Sequence, residues 1–184
     1  MIDLLMDILK SKNEDLNQIN SFFVERMVPS KTVLLQEGEI ATHIFFVKKG
    51  CLRMVFNKDG KDITLQFFFE GQPVASIESF KTGQPSLFGI ESIEPTTLVS
   101  VNKADFEYLL RTYSEMNERF LELMFHRFSN YASLFLSRIK DSPQERYNDL
   151  VKNHPEIIRR VPQHYIASYL GITPISLSRI RNRK

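Results

Sequence analysis

The side chains whose types and spacing best suggest a function lie near the end of the chain. Ile166, Ala167 and Leu170 have the spacing of one buried face of a short helix. Gly171 follows where a helix C-terminus favours a positive φ, and Thr173 precedes a proline, as an N-cap precedes the first helical residue. The pattern predicts two short helices joined by a tight turn, which is a helix-turn-helix arrangement.

The second predicted helix has two dissimilar sides. Leu177 and Ile180 face back toward the first helix and leave the other side free for contacts. The N-terminal part of such a helix enters the major groove of DNA, where an Arg can bind O6 and N7 of guanine. We therefore predict DNA contacts by seven residues: Thr173, Ile175, Ser176, Ser178, Arg179, Arg181 and Arg183. An ordinary helical hairpin with a basic end is the alternative.

The charge distribution favours the DNA interpretation. From Arg159 to Lys184 there are six Lys and Arg residues and no Asp or Glu, whereas the rest of the chain holds 18 basic and 22 acidic residues. A basic segment on an acidic body is typical of a part that meets nucleic acid beside a part with another task.

Composition excludes several classes of protein. The 184 residues are 42% hydrophobic and 25% charged, which is ordinary for a globular chain, and no apolar run approaches the roughly 18 residues of a membrane helix. The start lacks the features of a signal peptide, so we expect a cytoplasmic protein with no membrane partner. With Cys51 as the one cysteine, and with four scattered His, we predict no metal, no cofactor and no enzymatic site.

The segment from Lys31 to Val101 has the texture of β-structure. Short β-branched or aromatic runs alternate with turn residues, and Asp59-Gly60 between two runs is a hairpin signal. We predict strands at 32–35, 43–47, 51–56, 62–69 and 98–101 in an antiparallel roll of the jelly-roll type. The roll's interior is either an open cavity or filled by its own Phe67, Phe68, Phe69 and Phe88. Two short helices are predicted before the roll, at 1–10 and 15–23.

A long helix is predicted after the roll, from Ser114 to about Lys140. Asn102 with Asp105 forms the cap of a shorter helix before it, and Ser142 with Glu145 forms a capping box for the one after it. An apolar heptad seam runs along the long helix through Leu121, Met124, Phe128, Tyr131 and Phe135. Such a seam is typical of a helix that pairs with another helix, so we predict a homodimer. Burial within the helix's own domain is the alternative.

Nearly the whole chain resembles the Crp/Fnr family of transcription regulators. The resemblance rests on Glu37-Gly38-Glu39, Ile44 to Gly50, Asp59-Gly60 and Gly71, and on 167–173 with 177–180. It implies an α+β fold in three parts: a cyclic-nucleotide-binding-like roll over 1–113, a dimerisation helix over 114–140 and a helix-turn-helix domain over 141–184. It further implies a homodimer that binds palindromic double-stranded DNA and contacts RNA polymerase.

The effector pocket departs from the family pattern. Ala75-Ser76 stands where members that bind cyclic nucleotides have Gly-Glu, and Ser86-Leu87 stands where they have Arg-Ser. An anionic phosphate needs a charged partner or a cluster of N–H donors, so we expect weak or no binding of cyclic nucleotide and an unknown effector. Arg53 is a candidate to replace the missing cation of the pocket, although strand arginines usually lie at the surface, which is where we expect it. Tyr131 completes the candidate pocket, because it falls near the point where the family's long helix meets the ligand. An interaction module with a vestigial helix-turn-helix is the alternative function.

Overall fold

The computed structural model describes residues 19–182. The helix predicted at 1–10, the first four residues of the helix predicted at 15–23 and the predicted DNA contact Arg183 lie outside the described residues. The predicted α+β class is confirmed. Within the described residues, eight strands form two antiparallel four-stranded sheets, ordered β1-β8-β3-β6 and β2-β7-β4-β5. The strands are β1 Val24–Val28, β2 Val33–Leu35, β3 His43–Lys49, β4 Leu52–Lys58, β5 Lys61–Phe68, β6 Pro73–Val74, β7 Gly89–Ser92 and β8 Thr96–Asn102.

The hairpin predicted at Asp59-Gly60 joins β4 to β5. Both turn residues have positive φ, 54° for Asp59 and 81° for Gly60, as a two-residue hairpin turn of the primed type requires. The Asn57 side chain accepts from the Gly60 amide at 2.9 Å and donates to an Asp62 carboxylate oxygen at 3.1 Å. The turn is therefore fixed by its own polar side chains.

The core between the strands is largely aromatic and aliphatic. Ile44 to Val47 are all buried on β3, and Leu98 and Val101 of β8 have no exposed surface. Phe67, Phe68 and Phe69 are buried as well, whereas Phe88 is only half-buried. Three of the four phenylalanines that could fill the roll are therefore in the core of the protein, which favours the filled alternative without excluding a cavity beside Phe88.

Seven helices are described, and two of the predicted caps define where helices begin. They are α1 Ile77–Thr82, α2 Lys103–Thr112, α3 Ser114–Lys140, α4 Pro143–Asn153, α5 Pro155–Arg160, α6 Gln163–Tyr169 and α7 Pro174–Asn182. The Asn102 side chain accepts from the Asp105 amide, and Ser142 and Glu145 form the reciprocal capping box. No helix within residues 19–182 is both long and apolar enough to cross a membrane.

Some elements were not predicted from the sequence. Strand β1 occupies residues that directly follow a predicted helix, and α1 lies between two predicted strands, where no element was predicted. His154 ends α4, and Pro155 directly begins α5, because a proline is well suited to the first helical position.

The described chain divides into two compact units. The first contains the residues up to Met54 together with Phe67–Glu122, and the second contains Val55–Gln66 with the residues from Leu123 onward. The second unit thus holds the tip of the β4–β5 hairpin as well as α4 to α7. The domain boundaries expected after residues 113 and 140 stay predictions.

Candidate nucleic-acid interface

The turn between α6 and α7 is built by hydrogen bonds around Gly171. Its φ is +69°, and its amide donates to the Ser168 carbonyl at 3.0 Å, while the Ile172 amide donates to the Ala167 carbonyl at 2.9 Å. These bonds satisfy carbonyls that the end of α6 would otherwise leave unpaired. The predicted helix, turn and helix are all present.

The two helices share a small apolar core within the second unit. Ile166, Ala167 and Leu170 of the first helix and turn are buried, as are Leu177 and Ile180 of α7. Because Leu177 and Ile180 fix which side of α7 faces inward, the orientation of its outer side is also fixed.

Thr173 and Ser176 form the N-terminal cap of α7. The Ser176 amide donates to Thr173 Oγ1 at 3.1 Å, and the two hydroxyl oxygens lie 3.0 Å apart. Thr173 was predicted both as a cap and as a DNA contact. The bond from the Ser176 amide occupies one acceptor position of the Thr173 hydroxyl, and a second hydrogen bond joins this hydroxyl to that of Ser176.

The outer side of α7 carries four exposed residues at helical spacing: Ile175, Ser178, Arg179 and Asn182. Arg181 is exposed as well. It follows Arg179 by two residues, which places it about 200° round the helix. Arg179 and Arg181 therefore lie on different sides of α7 although both were predicted to contact DNA.

Two arginines that the sequence analysis did not single out hold the end of α6. Arg138 Nη2 donates to the Tyr169 carbonyl at 3.0 Å, and Arg146 Nη2 donates to the Leu170 carbonyl at 3.0 Å. Arg146 Nη1 also donates to the Asp141 carbonyl at 2.6 Å. Cations at a helix C-terminus complement the partial negative charge of its carbonyls. Burial raises the pKa of the Tyr169 hydroxyl, with the nearby Arg138 opposing the shift.

Ser168 connects α6 to the β4–β5 hairpin. Its Oγ accepts from the Thr64 amide at 2.9 Å and donates to the Asp62 carbonyl at 2.9 Å. The partners lie more than a hundred residues apart in the sequence. No local sequence signal could have predicted this contact, because neither spacing nor composition relates Ser168 to the hairpin.

One side of α3 is apolar and exposed. Of the predicted seam, Leu121, Phe128, Tyr131 and Phe135 are exposed, and Met124 is half-buried. Exposed apolar side chains also include Phe125, Leu136 and Ile139. At about 100° per residue, these side chains fall within one continuous face, which we call the α3 apolar face. Partial burial raises the pKa of the Tyr131 hydroxyl, with the nearby Arg127 opposing the shift.

Most residues of the candidate effector pocket are buried. Ala75, Ser76 and Ser86 are buried, and Ser86 Oγ lies 2.8 Å from Ser76 Oγ and 2.6 Å from the Phe88 carbonyl oxygen. Leu87, in contrast, is 70% exposed and does not fill the interior. The two hydroxyl groups thus satisfy one another inside the first unit.

The expectation that Arg53 lies at the surface is wrong. Its side chain is 1% exposed, and Nε donates to Glu91 Oε1 at 2.7 Å. A buried guanidinium needs a carboxylate partner, and the neighbouring strand β7 supplies it from 38 residues away. Within residues 19–182, no three His, Cys, Asp or Glu side chains are grouped as metal ligands would be.

Comparisons with known proteins agree with this architecture. Residues 25–113 match the model of the cyclic nucleotide-binding domain. No curated protein sequence matches the chain. Among solved structures, FixK2 from Bradyrhizobium japonicum is 17% identical over 88% of this chain and 83% of its own, with a TM-score of 0.74.

Two further solved structures are similar. A CooA variant from Carboxydothermus hydrogenoformans is 16% identical over 93% of this chain and 80% of its own, with a TM-score of 0.72. A protein assigned to the Crp/Fnr family of transcriptional regulators, from Eubacterium rectale, is 19% identical over 94% and 83%, with a TM-score of 0.74. Residues 25–113 thus match a cyclic nucleotide-binding domain, and the described chain shares its fold with regulators of the Crp/Fnr type.

Proposed function

We propose that the protein is a homodimeric transcription regulator that reads a palindromic DNA site with α7. The observation that carries the proposal is the outer side of α7, where Arg179 is exposed next to Ser178 and Asn182 on a helix whose other side is buried. No acidic residue occurs from Ile157 to the end of the chain. This side therefore offers donors to base edges without repelling phosphate.

The second copy of the chain docks on the α3 apolar face. The side chains of Phe125, Phe128 and Ile139 are each at least 68% exposed. Removing this apolar surface from water would stabilise a complex between two copies. Paired α3 helices would place two α7 helices on one duplex. Reading two half-sites requires the α7 helices to be about 34 Å apart, one turn of B-DNA.

The first unit serves as the sensor, and cyclic nucleotide is not its effector. The guanidinium of Arg53 is already paired with Glu91, and Ser76 and Ser86 are bonded to each other. A cyclic phosphate would have to replace these internal bonds. Taking the Arg53 guanidinium away from Glu91 would leave a mostly buried carboxylate without its charged partner, which is unfavourable. By resemblance to the family, the DNA-bound dimer would contact RNA polymerase in the cytoplasm.

Selection from a random DNA pool tests this proposal. The purified full chain is mixed with random-sequence duplexes, and the retained DNA is sequenced. We expect an enriched palindrome for the wild-type protein and for Arg111→Ala, an exposed arginine on α2 that serves as the control. Arg179→Ala should lose enrichment at one guanine per half-site, a discrimination of about 1–3 kcal/mol for a good bidentate contact.

Salt dependence separates a DNA reader from an interaction module. Affinity for the enriched site should fall steeply as salt rises, because phosphate contacts release counterions. If Arg179→Ala retains the same sequences as wild-type protein, or if retention is independent of sequence and salt, then the proposal is wrong. The chain would then be better described as an interaction module with a vestigial helix pair.

A further inference from the structure

The outer side of α7 contains one apolar side chain among polar ones. Ile175 is 67% exposed in the first turn of the helix, while the residues that share its side, Ser178, Arg179 and Asn182, are polar. Ile175 lies on the opposite side of α7 from the buried Leu177 and Ile180, about 140–200° round the helix from them.

The hydroxyl groups of Thr173 and Ser176 are bonded to each other in the N-terminal cap of α7. Thr173 precedes Ile175 by two residues, and Ser176 follows it directly. The first turn therefore presents an aliphatic group where a base-reading helix meets the major groove first.

We propose that Ile175 determines specificity by packing against the 5-methyl group of a thymine close to the guanine read by Arg179. This inference rests on the proposed function. The thymine methyl is the one apolar group that base pairs present in the major groove, and aliphatic side chains contact it there. Ile175 and Arg179 are one helical turn apart, about 6 Å along the axis, so the two bases lie within about two base pairs of each other.

Replacement of thymine by uracil tests the contact directly. Deoxyuridine lacks only the 5-methyl group and keeps the pairing with adenine. In the enriched site, each thymine near the guanine is replaced in turn, and affinity is measured by fluorescence anisotropy. For wild-type protein we expect one sensitive thymine per half-site, with affinity lower by about fourfold, the value of one buried methyl-sized group at about 0.8 kcal/mol.

Variants assign the effect to Ile175. Ile175→Ser should bind the thymine and uracil sites equally, while Ile175→Val should keep part of the preference. Ile40→Ser, which replaces another exposed isoleucine but in the first unit, should keep all of it. Arg179→Ala should keep the methyl preference while losing the preference for guanine.

The outcomes separate this inference from the proposed function. If no palindrome is enriched, the proposed function fails and takes the inference with it. If a palindrome is enriched and depends on Arg179, but uracil is tolerated at every position or the methyl preference survives in Ile175→Ser, then only the role of Ile175 is wrong. A half-site without thymine within two base pairs of the guanine overturns it equally.

Discussion

Ser168 on α6 and Thr64 on β5 lie 104 residues apart and share a hydrogen bond of 2.9 Å from the Thr64 amide to the Ser168 hydroxyl. The same hydroxyl donates to the Asp62 carbonyl, so one side chain satisfies two backbone groups of the hairpin. Thr64 has no exposed surface. An amide buried in this way depends on its partner, since water cannot replace it without a rearrangement.

We expect Ser168→Ala to destabilise the chain by about 1–3 kcal/mol, because it removes the hydroxyl that accepts from a buried amide. Urea unfolding measures the loss. Ser178→Ala, an exposed serine on α7, should change stability by less than about 0.5 kcal/mol and serves as the control.

Hydrogen exchange gives a readout specific to this contact. The Thr64 amide should exchange faster in Ser168→Ala, whereas amides in β3 should be unaffected under native conditions. If Thr64 exchanges at the wild-type rate in Ser168→Ala, then another acceptor holds this amide.

The α6–α7 turn could be predicted from sequence because its determinants are local. Gly171 supplies a positive φ, and Thr173 caps α7 by accepting from the amide of Ser176, three residues later in the sequence. The contacts of Ser168 and Arg146 could not be predicted, because their partners are brought near only by the fold. Arg53 shows the same limit: strand position alone does not reveal a buried arginine, and the burial is explained by Glu91 on a neighbouring strand.

The capping box at the start of α4 should make stability depend on pH. A hydrogen bond from the Ser142 backbone amide, followed by one from its side chain, holds the pKa of the Glu145 carboxyl below its usual value of 4.5. A carboxyl whose pKa is lower in the folded state stabilises it above the unfolded pKa. This contribution is lost as the pH falls through the lowered value.

Glu145→Gln should therefore destabilise the chain at pH 7 and have little effect once the pH is below the folded pKa of Glu145. Urea unfolding of both proteins across this range measures the difference. Ser142→Ala, which removes the cap side chain and should cost about 1 kcal/mol, should also shrink the pH-dependent part of the Glu145→Gln effect. A constant difference between wild-type and Glu145→Gln at every pH would contradict this explanation.

The pair of Arg53 and Glu91 should be expensive to break from one side. Arg53→Met leaves the Glu91 carboxylate, whose side chain is only 17% exposed, without its charged partner, and we expect a loss of about 3–5 kcal/mol in unfolding free energy. Replacing both residues by Met should recover most of that loss, since apolar residues of similar size can substitute for a buried ion pair.

An exposed pair provides the comparison. Lys48 and Glu25 are 2.7 Å apart, and both side chains are about half exposed. Lys48→Ala should change stability by less than about 1 kcal/mol, because water screens the pair. If Arg53→Met lowers the free energy of unfolding no more than Lys48→Ala does, then burial does not increase the contribution of the Arg53–Glu91 pair to stability.

The α3 apolar face should control the oligomeric state. Phe128 is 73% exposed and lies near the middle of the face. Phe128→Asp would place a carboxylate from each chain in an apolar interface, and an unpaired buried charge costs several kcal/mol. Since each 1.4 kcal/mol is tenfold in affinity, we expect the dimer to weaken by at least about a hundredfold.

Sedimentation velocity over a range of protein concentrations checks this. Wild-type protein should sediment as a dimer and Phe128→Asp as a monomer. Asn130→Asp adds the same charge at an exposed position about 200° round the helix and should remain dimeric. Because a monomer holds only one α7, Phe128→Asp should bind a single half-site and the full palindrome with similar affinity. A dimer that survives Phe128→Asp would place the subunit contact on another surface, and the two α7 helices would then need a different element to set their spacing.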